Sequence, residues 1–172
     1  MKNKDTKNLF HSDTMWGEEK NNLICGISFP KKAYNVGEPI NGDLYIKNVS
    51  GHDLIILKPL KLGRWGLDIQ GPAGGDYRWK GGKYKIKPIS QEDFIPLKKD
   101  SVYHDTIYTA LFLIQHNSKK GKAIFSSGEG WQSVLPGKYT IQLFLQMCVD
   151  SPPIFQLKSG KAIIEVIDEI KK

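Results

Sequence analysis

Apolar and polar side chains alternate along most of this chain, and the clearest example begins at a Pro-Gly turn. Pro136 presets the backbone for the second position of a turn, and Gly137 can adopt the positive φ of the third. Along the strand that follows, one face carries Tyr139, Ile141, Leu143, Leu145 and Met147, and the other carries Thr140, Gln142 and Gln146. This alternation predicts a β-strand with one face buried in a core.

Apolar segments of strand length recur through the chain, separated by clusters of Gly, Pro, Asn and Ser. The predicted strands cover residues 23–29, 40–48, 54–57, 64–70, 77–87 (a hairpin), 94–97, 102–114, 139–147, 155–157 and 162–167. No stretch has the periodicity of an amphipathic helix. Short strands at this spacing are typical of all-β sandwiches, so we predict an all-β fold: an antiparallel β-sandwich of about seven to nine strands.

The two ends of this pattern suggest the domain organisation. Residues 1–21 are polar, rich in Lys, Asn and Glu, and without periodicity, and they predict a flexible leader. Residues 22–172 predict a single domain, which is a usual size for one hydrophobic core. Within that domain, the polar stretch near residues 116–134 predicts a long loop.

Two motifs carry a resemblance to a known class of domain. Residues 34–40 read Y-x-x-G-E-P-I, and residues 44–50 read L-x-I-x-N-x-S. This opening resembles bacterial immunoglobulin-like domains, including the non-catalytic N-terminal β-domains of some secreted metallopeptidases. It is similar, less closely, to the intracellular proteinase inhibitor domains of bacilli. The resemblance covers about residues 23–168 and implies an immunoglobulin-like β-sandwich, in which Tyr139 would form a tyrosine corner.

The resemblance implies a scaffold more than a chemistry. Its matched positions Gly37, Asn48, Gly137 and Tyr139 mark turns and strand entrances. The chain contains no His-Glu-x-x-His motif, so the metallopeptidase activity is not carried over, and no inhibitory loop can be matched residue by residue. The resemblance does favour a bacterial protein that is secreted or associated with the cell envelope.

Charge and hydropathy leave the partner and the compartment open. The chain has 25 Lys and Arg against 18 Asp and Glu, a formal charge of +7, which favours contact with anionic surfaces without specifying one. No apolar run approaches the roughly 20 residues of a membrane-spanning helix. The N-terminus as written is not a secretory signal. Two alternatives remain: a cytoplasmic protein, or a secreted or envelope protein whose signal peptide was removed.

The two cysteines are predicted to be free thiols. Cys25 shares a strand face with Leu23 and Ile27, which are expected in the core. Cys148 falls on the opposite, polar face of its strand, beside Gln146. A disulfide requires closely matched Cβ positions, so these opposed faces disfavour a bridge, although both residues could lie at the same end of the domain.

The residues that usually carry catalysis are scattered. His11, His52, His104 and His116 show no metal-ligand spacing, and no nucleophile or phosphate-binding motif is present. We therefore predict no cofactor, no metal site and no enzymatic activity.

One basic and aromatic segment stands out as a candidate binding surface. Its residues are Tyr77, Arg78, Trp79, Lys80, Lys83, Tyr84 and Lys85. On an exposed hairpin these side chains would form an aromatic platform flanked by bases, suited to a sugar, a base or an acidic partner. The alternative is that the aromatic rings pack on the sheet and the lysines are solvated around it.

Together these features predict a non-catalytic interaction module that recognises a protein or glycan partner. Two alternatives stay open: a proteinase-inhibitor-like domain and a polyanion-binding domain. The sequence contains no specific nucleic-acid-binding motif and does not predict an oligomeric state.

Overall fold

The described residues form mainly β-strands, with a short 3-10 turn at Gln91–Asp93. The computed structural model describes residues 13–35, 38, 40–60, 65–72, 76–78, 88–107 and 136–168. The strands are β1 (Met15–Trp16), β2 (Leu23–Ser28), β3 (Ala33–Asn35), β4 (Gly42–Asn48), β5 (Leu54–Leu57), β6 (Trp65–Gln70), β7 (Asp76–Arg78), β8 (Phe94–Leu97), β9 (Val102–Ile107), β10 (Gly137–Val149) and β11 (Ser151–Ile167). The all-β prediction is confirmed. The described residues form eleven strands, more than the predicted seven to nine, because the sequence pattern did not resolve short strands such as β1 and β3.

The strands form two sheets. The first has the order β1-β2-β4-β9, and the second has the order β3-β11-β10-β5-β8, with β6 paired to β10 and β7 paired to β6. Every pairing is antiparallel except that of β3 with β11, which is parallel.

Side chains from both sheets share one hydrophobic core. The predicted inner face of β10 is confirmed, since Tyr139, Ile141, Leu143, Leu145 and Met147 are all buried in it. The first sheet contributes Leu23, Cys25 and Ile27 of β2, which were predicted to share one inward face, together with Leu44 and Ile46 of β4. Period-two alternation was a reliable guide here because each sheet buries one face. Gly137 has the positive φ, 144°, that the Pro-Gly turn predicted.

A second, smaller cluster lies on the other face of the second sheet. It consists of Leu57 and Cys148, with Ile89 and Phe94 packed against them. The prediction that Cys148 lies on the face opposite the core is confirmed, but the prediction that this face is polar at Cys148 is wrong. Both cysteines are buried and free. They belong to different clusters, as the opposed faces implied.

The last strand is longer than predicted. Residues 155–157 and 162–167 were expected as two short strands after Pro152 and Pro153, but β11 runs unbroken from Ser151 to Ile167. It forms a hairpin with β10 through Asp150, whose φ is 57°. The Asp150 backbone N–H donates to the carbonyl of Ile55 at 2.7 Å, and its carboxylate accepts from the Ile55 N–H at 3.1 Å, which ties the hairpin to β5.

The described part of the predicted leader belongs to the fold. Lys20 and Leu23 exchange two backbone hydrogen bonds, of 2.9 and 3.1 Å, around Asn21 and Asn22, which both have positive φ. This is the geometry of a two-residue hairpin turn of type I′. Within the stretch predicted as a leader, β1 is thus the first strand of a hairpin with β2. Residues 1–12 and the predicted loop near 116–134 lie outside the described residues.

Candidate functional site

Three exposed isoleucines of the second sheet lie along one face of β11. Ile154, Ile163 and Ile167 are 41%, 64% and 42% exposed. They lie on the face opposite the buried Leu157, Ile164 and Val166. We call these three residues the isoleucine ridge. On this outward face, Gln156, Lys158 and Lys161 lie between Ile154 and Ile163, and Glu165 lies between Ile163 and Ile167.

A β-bulge sets the outward face of this long strand. The register with β10 shifts between Gln142, opposite Lys161, and Phe144, opposite Lys158. Within the bulge, the Leu143 backbone N–H donates to the Ser159 hydroxyl at 2.9 Å. Because one extra residue reverses the alternation, Ile154 and Ile163 both face outward although they are an odd number of positions apart.

The surface beside the ridge is polar, and the row next to Ile163 is uncharged. Ile163 pairs with Thr140, which pairs with Gln70, so a row of small polar groups extends from the exposed isoleucine. The next row contains Lys161, Gln142 and Asp68. The site is therefore a strand face on which three exposed isoleucines lie among polar and charged side chains.

A close contact keeps this surface flat at Phe144. The phenyl ring lies over Gly66 on the neighbouring strand, and a Cβ atom at Gly66 would lie only 2.3 Å from the Phe144 Cζ. Glycine leaves the space that the ring occupies, so the aromatic side chain lies along the sheet.

The predicted binding segment begins at the border of the same sheet. Tyr77 and Arg78 are in β7, where their backbone partners are Ile69 and Asp68. Trp79, Lys80, Lys83, Tyr84 and Lys85 lie outside the described residues. The prediction of an exposed aromatic and basic platform therefore stays a prediction, and the structure adds that the segment leaves from the edge of the sheet that carries the ridge.

A row of aromatic rings crosses the outer face of the first sheet. Backbone pairing aligns Trp16, Gly26, Tyr45 and His104 across the four strands. The rings of Trp16 and Tyr45 are 6.1 Å apart, and those of Tyr45 and His104 stack at 5.0 Å. Tyr45 is buried, and this burial raises the pKa of its hydroxyl. Because Tyr45 is out of reach of a ligand, the row serves to hold β1 on the sheet.

One hydrogen-bonded contact accompanies this row. The Nε2 atom of His104 lies 3.0 Å from the Asp43 carboxylate, which also lies 3.4 Å from the Thr106 hydroxyl. The carboxylate can only accept, so this contact favours a proton on Nε2.

The described residues offer little reactive chemistry. Burial raises the pKa of the Cys25 thiol and, together with the nearby Asp150 carboxylate, that of the Cys148 thiol, so both disfavour the nucleophilic thiolate. Among the described residues, no group of three or more His, Cys, Asp or Glu side chains could hold a metal ion. Nor does this part of the chain contain a helix long and apolar enough to cross a membrane.

Sequence reasoning missed the isoleucine ridge. Residues 162–167 read A-I-I-E-V-I and were predicted only as a strand, whereas the structure places Ala162, Ile164 and Val166 in the core. The remaining isoleucines, Ile163 and Ile167, then had to face outward. Apolar residues on both faces of this strand were the signal in the sequence that could have revealed the ridge.

Comparisons with known proteins give little guidance. No family model matches the chain, and no curated protein matches it. Among solved structures, it is similar to the Pseudomonas fluorescens alkylpurine DNA glycosylase AlkC, bound to DNA containing an abasic site analog. The match has a TM-score of 0.34 and 12% sequence identity, and it covers 84% of this chain and 30% of that one. The chain thus spans less than a third of the protein it matches, and the similarity is too low to assign a fold or a function.

Proposed function

We propose that this chain is a non-catalytic interaction module built on an immunoglobulin-like β-sandwich. Strand order supports the sandwich: β2, β4 and β9 are neighbours in one sheet, and β5, β10 and β11 in the other. These are the neighbours of the A, B and E strands and of the C, F and G strands in an immunoglobulin-like domain. Tyr139, buried near the start of β10, stands where a tyrosine corner would be.

The observation that carries the binding proposal is the exposure of Ile163. This side chain is 64% exposed in the row that it shares with Thr140 and Gln70, and two more ridge isoleucines lie on the same strand face. Burying the remaining apolar surface of one such side chain contributes roughly 1–2 kcal/mol. Exposed apolar groups with a polar border are characteristic of protein-binding surfaces.

The chemistry of the ridge favours a protein over a glycan. Isoleucine has no polar atom to bond a hydroxyl and no aromatic face on which a sugar ring could stack. A glycan would depend on the aromatic side chains of residues 77–84, whereas a protein could bury the ridge directly. Lys158 and Lys161 lie between the isoleucines, so acidic groups at the rim of the partner would complement them.

Polyanion binding is the second candidate, because of these lysines. Lys158 and Lys161 lie on the outward face of β11, and the chain carries a formal charge of +7. A polyanion would be held mainly through such charges, and its affinity would fall steeply with salt. An interface centred on isoleucines would depend far less on salt.

The experiment is crosslinked affinity capture from the native cell with three matched baits: the wild-type chain, Ile163→Asp and Ile55→Asp. Ile55 is an exposed isoleucine on β5, outside the ridge, so its substitution adds the same charge elsewhere. We expect Ile163→Asp to reduce capture of the principal protein at least about tenfold, since a central contact commonly dominates an interface. Ile55→Asp should retain it. Thermal unfolding checks that both variants are folded.

The other outcomes of this capture experiment would overturn the proposal. If Ile163→Asp captures the same protein as efficiently as the wild type, the ridge is not the interface. If Lys158→Glu/Lys161→Glu abolishes capture while Ile163→Asp has no effect, and capture disappears at high salt, the polyanion candidate replaces the proposal.

A further inference from the structure

Residues 13–17 dock onto distant parts of the chain. Met15 and Trp16 pair with β2, and the Gly17 N–H donates to the Cys25 carbonyl at 2.8 Å. The Asp13 carboxylate lies 3.1 Å from the Lys32 ammonium. We call residues 13–17 the N-terminal segment. It occupies a groove formed by β2 on one side and residues 158–160 of β11 on the other.

The groove is shaped for this segment. A Cβ atom at Gly26 would lie 2.8 Å from the Trp16 ring, and one at Gly160 would lie 2.6 Å from the Trp16 carbonyl oxygen. On the segment itself, a Cβ at Gly17 would overlap the Lys158 carbonyl oxygen at 1.9 Å. Glycine is thus needed on both sides of the contact. Such a groove accepts a Trp-Gly segment and disfavours a bulkier one.

The connection between the segment and β2 is short. Residues 18–22 end in the turn at Asn21 and Asn22, whose φ angles are 51° and 62°. Asparagine adopts positive φ more readily than other non-glycine residues, so Asn21 and Asn22 stabilise the closed turn. Drawn out, five residues would span about 17 Å, enough to carry the segment away from its own groove.

We propose that the N-terminal segment is an exchangeable strand whose partner is a second copy of this chain. In the exchanged dimer, the segment of each copy lies in the groove of the other. The closed monomer and the dimer share every contact except those of residues 18–22, so the turn sets the balance between them. In the wild type, the dimer forms only near the effective concentration of a short tether, on the order of mM. This proposal is independent of the isoleucine ridge.

The first test changes the turn in the full chain. Valine is strongly disfavoured at positive φ, so Asn21→Val/Asn22→Val should shift the equilibrium toward the open connection by a factor on the order of 10². We expect this variant to sediment as a dimer at tens of µM. The matched control Asn22→Gly creates an Asn-Gly turn, which favours the closed hairpin, and should sediment as a monomer.

The second test separates exchange from other dimers by complementation. In the valine background, Trp16→Ala removes the anchor of the segment and Gly160→Val blocks the groove. Each of these chains alone should be monomeric. Their mixture should form a heterodimer, because the intact segment of one chain fits the intact groove of the other. If Gly160→Val fails to fold by circular dichroism, Gly26→Val blocks the same groove beneath the Trp16 ring.

The outcomes decide the proposal. A valine variant that keeps its circular dichroism spectrum but stays monomeric would show that the segment simply detaches. If the valine variant that also carries Trp16→Ala dimerises as readily as the valine variant alone, the dimer does not use the N-terminal segment. Either result overturns strand exchange, as does a complementary mixture that remains monomeric.

Discussion

Replacing Asn48 with aspartate exchanges an amide nitrogen for an oxygen at a buried site. The Asn48 side-chain amide donates to the carbonyls of His52, Leu97 and Lys98 at 2.9, 3.0 and 3.1 Å. Its oxygen accepts from the Ser50 N–H at 2.8 Å and from the Ser50 hydroxyl at 2.6 Å. The side chain therefore joins the end of β4 to the turn between β8 and β9. Aspartate keeps the shape and the acceptor, but it loses both donors.

The expected loss of stability follows from those contacts. Each carbonyl group left without a donor in a buried position costs about 1–3 kcal/mol, and ionised aspartate removes two N–H donors. The carboxylate would also face carbonyl oxygens. We therefore expect Asn48→Asp to lower the free energy of unfolding by roughly 3–5 kcal/mol at pH 7. That is a large part of the 5–15 kcal/mol typical of a domain.

The pH dependence has a definite sign. Burial and the facing carbonyl oxygens raise the pKa of the introduced carboxyl in the folded state, because both disfavour its charged form. The folded variant then binds more protons than the unfolded chain, so its stability falls as the pH rises through the folded pKa. At pH 4 the protonated carboxyl regains one donor, and part of the lost stability should return.

The assay is urea-induced unfolding followed by tryptophan fluorescence at pH 7 and pH 4. The wild type and Asn41→Asp are measured in parallel, since Asn41 is exposed and its substitution introduces the same charge. The reasoning is refuted if Asn48→Asp is as stable as Asn41→Asp at pH 7. It is also refuted if the difference from the wild type does not become smaller at pH 4.

Three further predictions concern other contacts. Gly66→Ala should lower the free energy of unfolding by about 1–3 kcal/mol, because the new methyl group overlaps the Phe144 ring. In a Phe144→Ala background the same substitution should destabilise the protein much less. Equal losses of stability in the two backgrounds of this double-mutant cycle would contradict the contact. Lys31→Met should raise the pKa of Glu38 measured by carbon NMR titration. In the wild type, the hydrogen bond from Lys31 holds that pKa below its usual range. An unchanged pKa in the variant would exclude this cause. Alkylation of Cys148, followed by mass spectrometry, should be slow in the native protein and accelerate with urea, since its thiol is buried with a raised pKa. Fast alkylation of the native protein would contradict this and would show that the cluster of Leu57 and Cys148 opens readily.

The faces of the strands could be predicted because each sheet buries one side. The alternation on β10 from Tyr139 to Met147 was sufficient to identify its inward face, and the same held for Leu23 and Ile27 on β2. Cys148 shows the limit of this reasoning. Alternation distinguishes the two faces of a strand, but it does not indicate that Phe94 covers the second face.

The two ends of the domain were predicted less well, for different physical reasons. β1 falls within residues 1–21, which were predicted as a flexible leader because their composition is polar, although Asn21-Asn22 is itself a turn signal. Pro152 and Pro153 were read as a break, yet both residues lie in β11, close to its start, where proline is tolerated.

The candidate site could be predicted only in part. The basic and aromatic residues 77–85 were identified from composition, and only Tyr77 and Arg78 fall within the described strands. The isoleucine ridge depends on the bulge at Ser159, which shifts the alternation of β11 between Ile154 and Ile163. A bulge of this kind arises from the pairing of two strands, so the pattern of one strand does not predict it.

The central claim is that the isoleucine ridge binds a protein partner, and its most direct test is the affinity of that partner for Ile163→Asp and Ile55→Asp. Once the captured protein is purified, the dissociation constants of both variants can be measured by titration calorimetry at low and high salt. We predict that Ile163→Asp weakens binding at least about tenfold at either salt concentration, while Ile55→Asp binds like the wild type. Equal affinities for the two variants would contradict the claim.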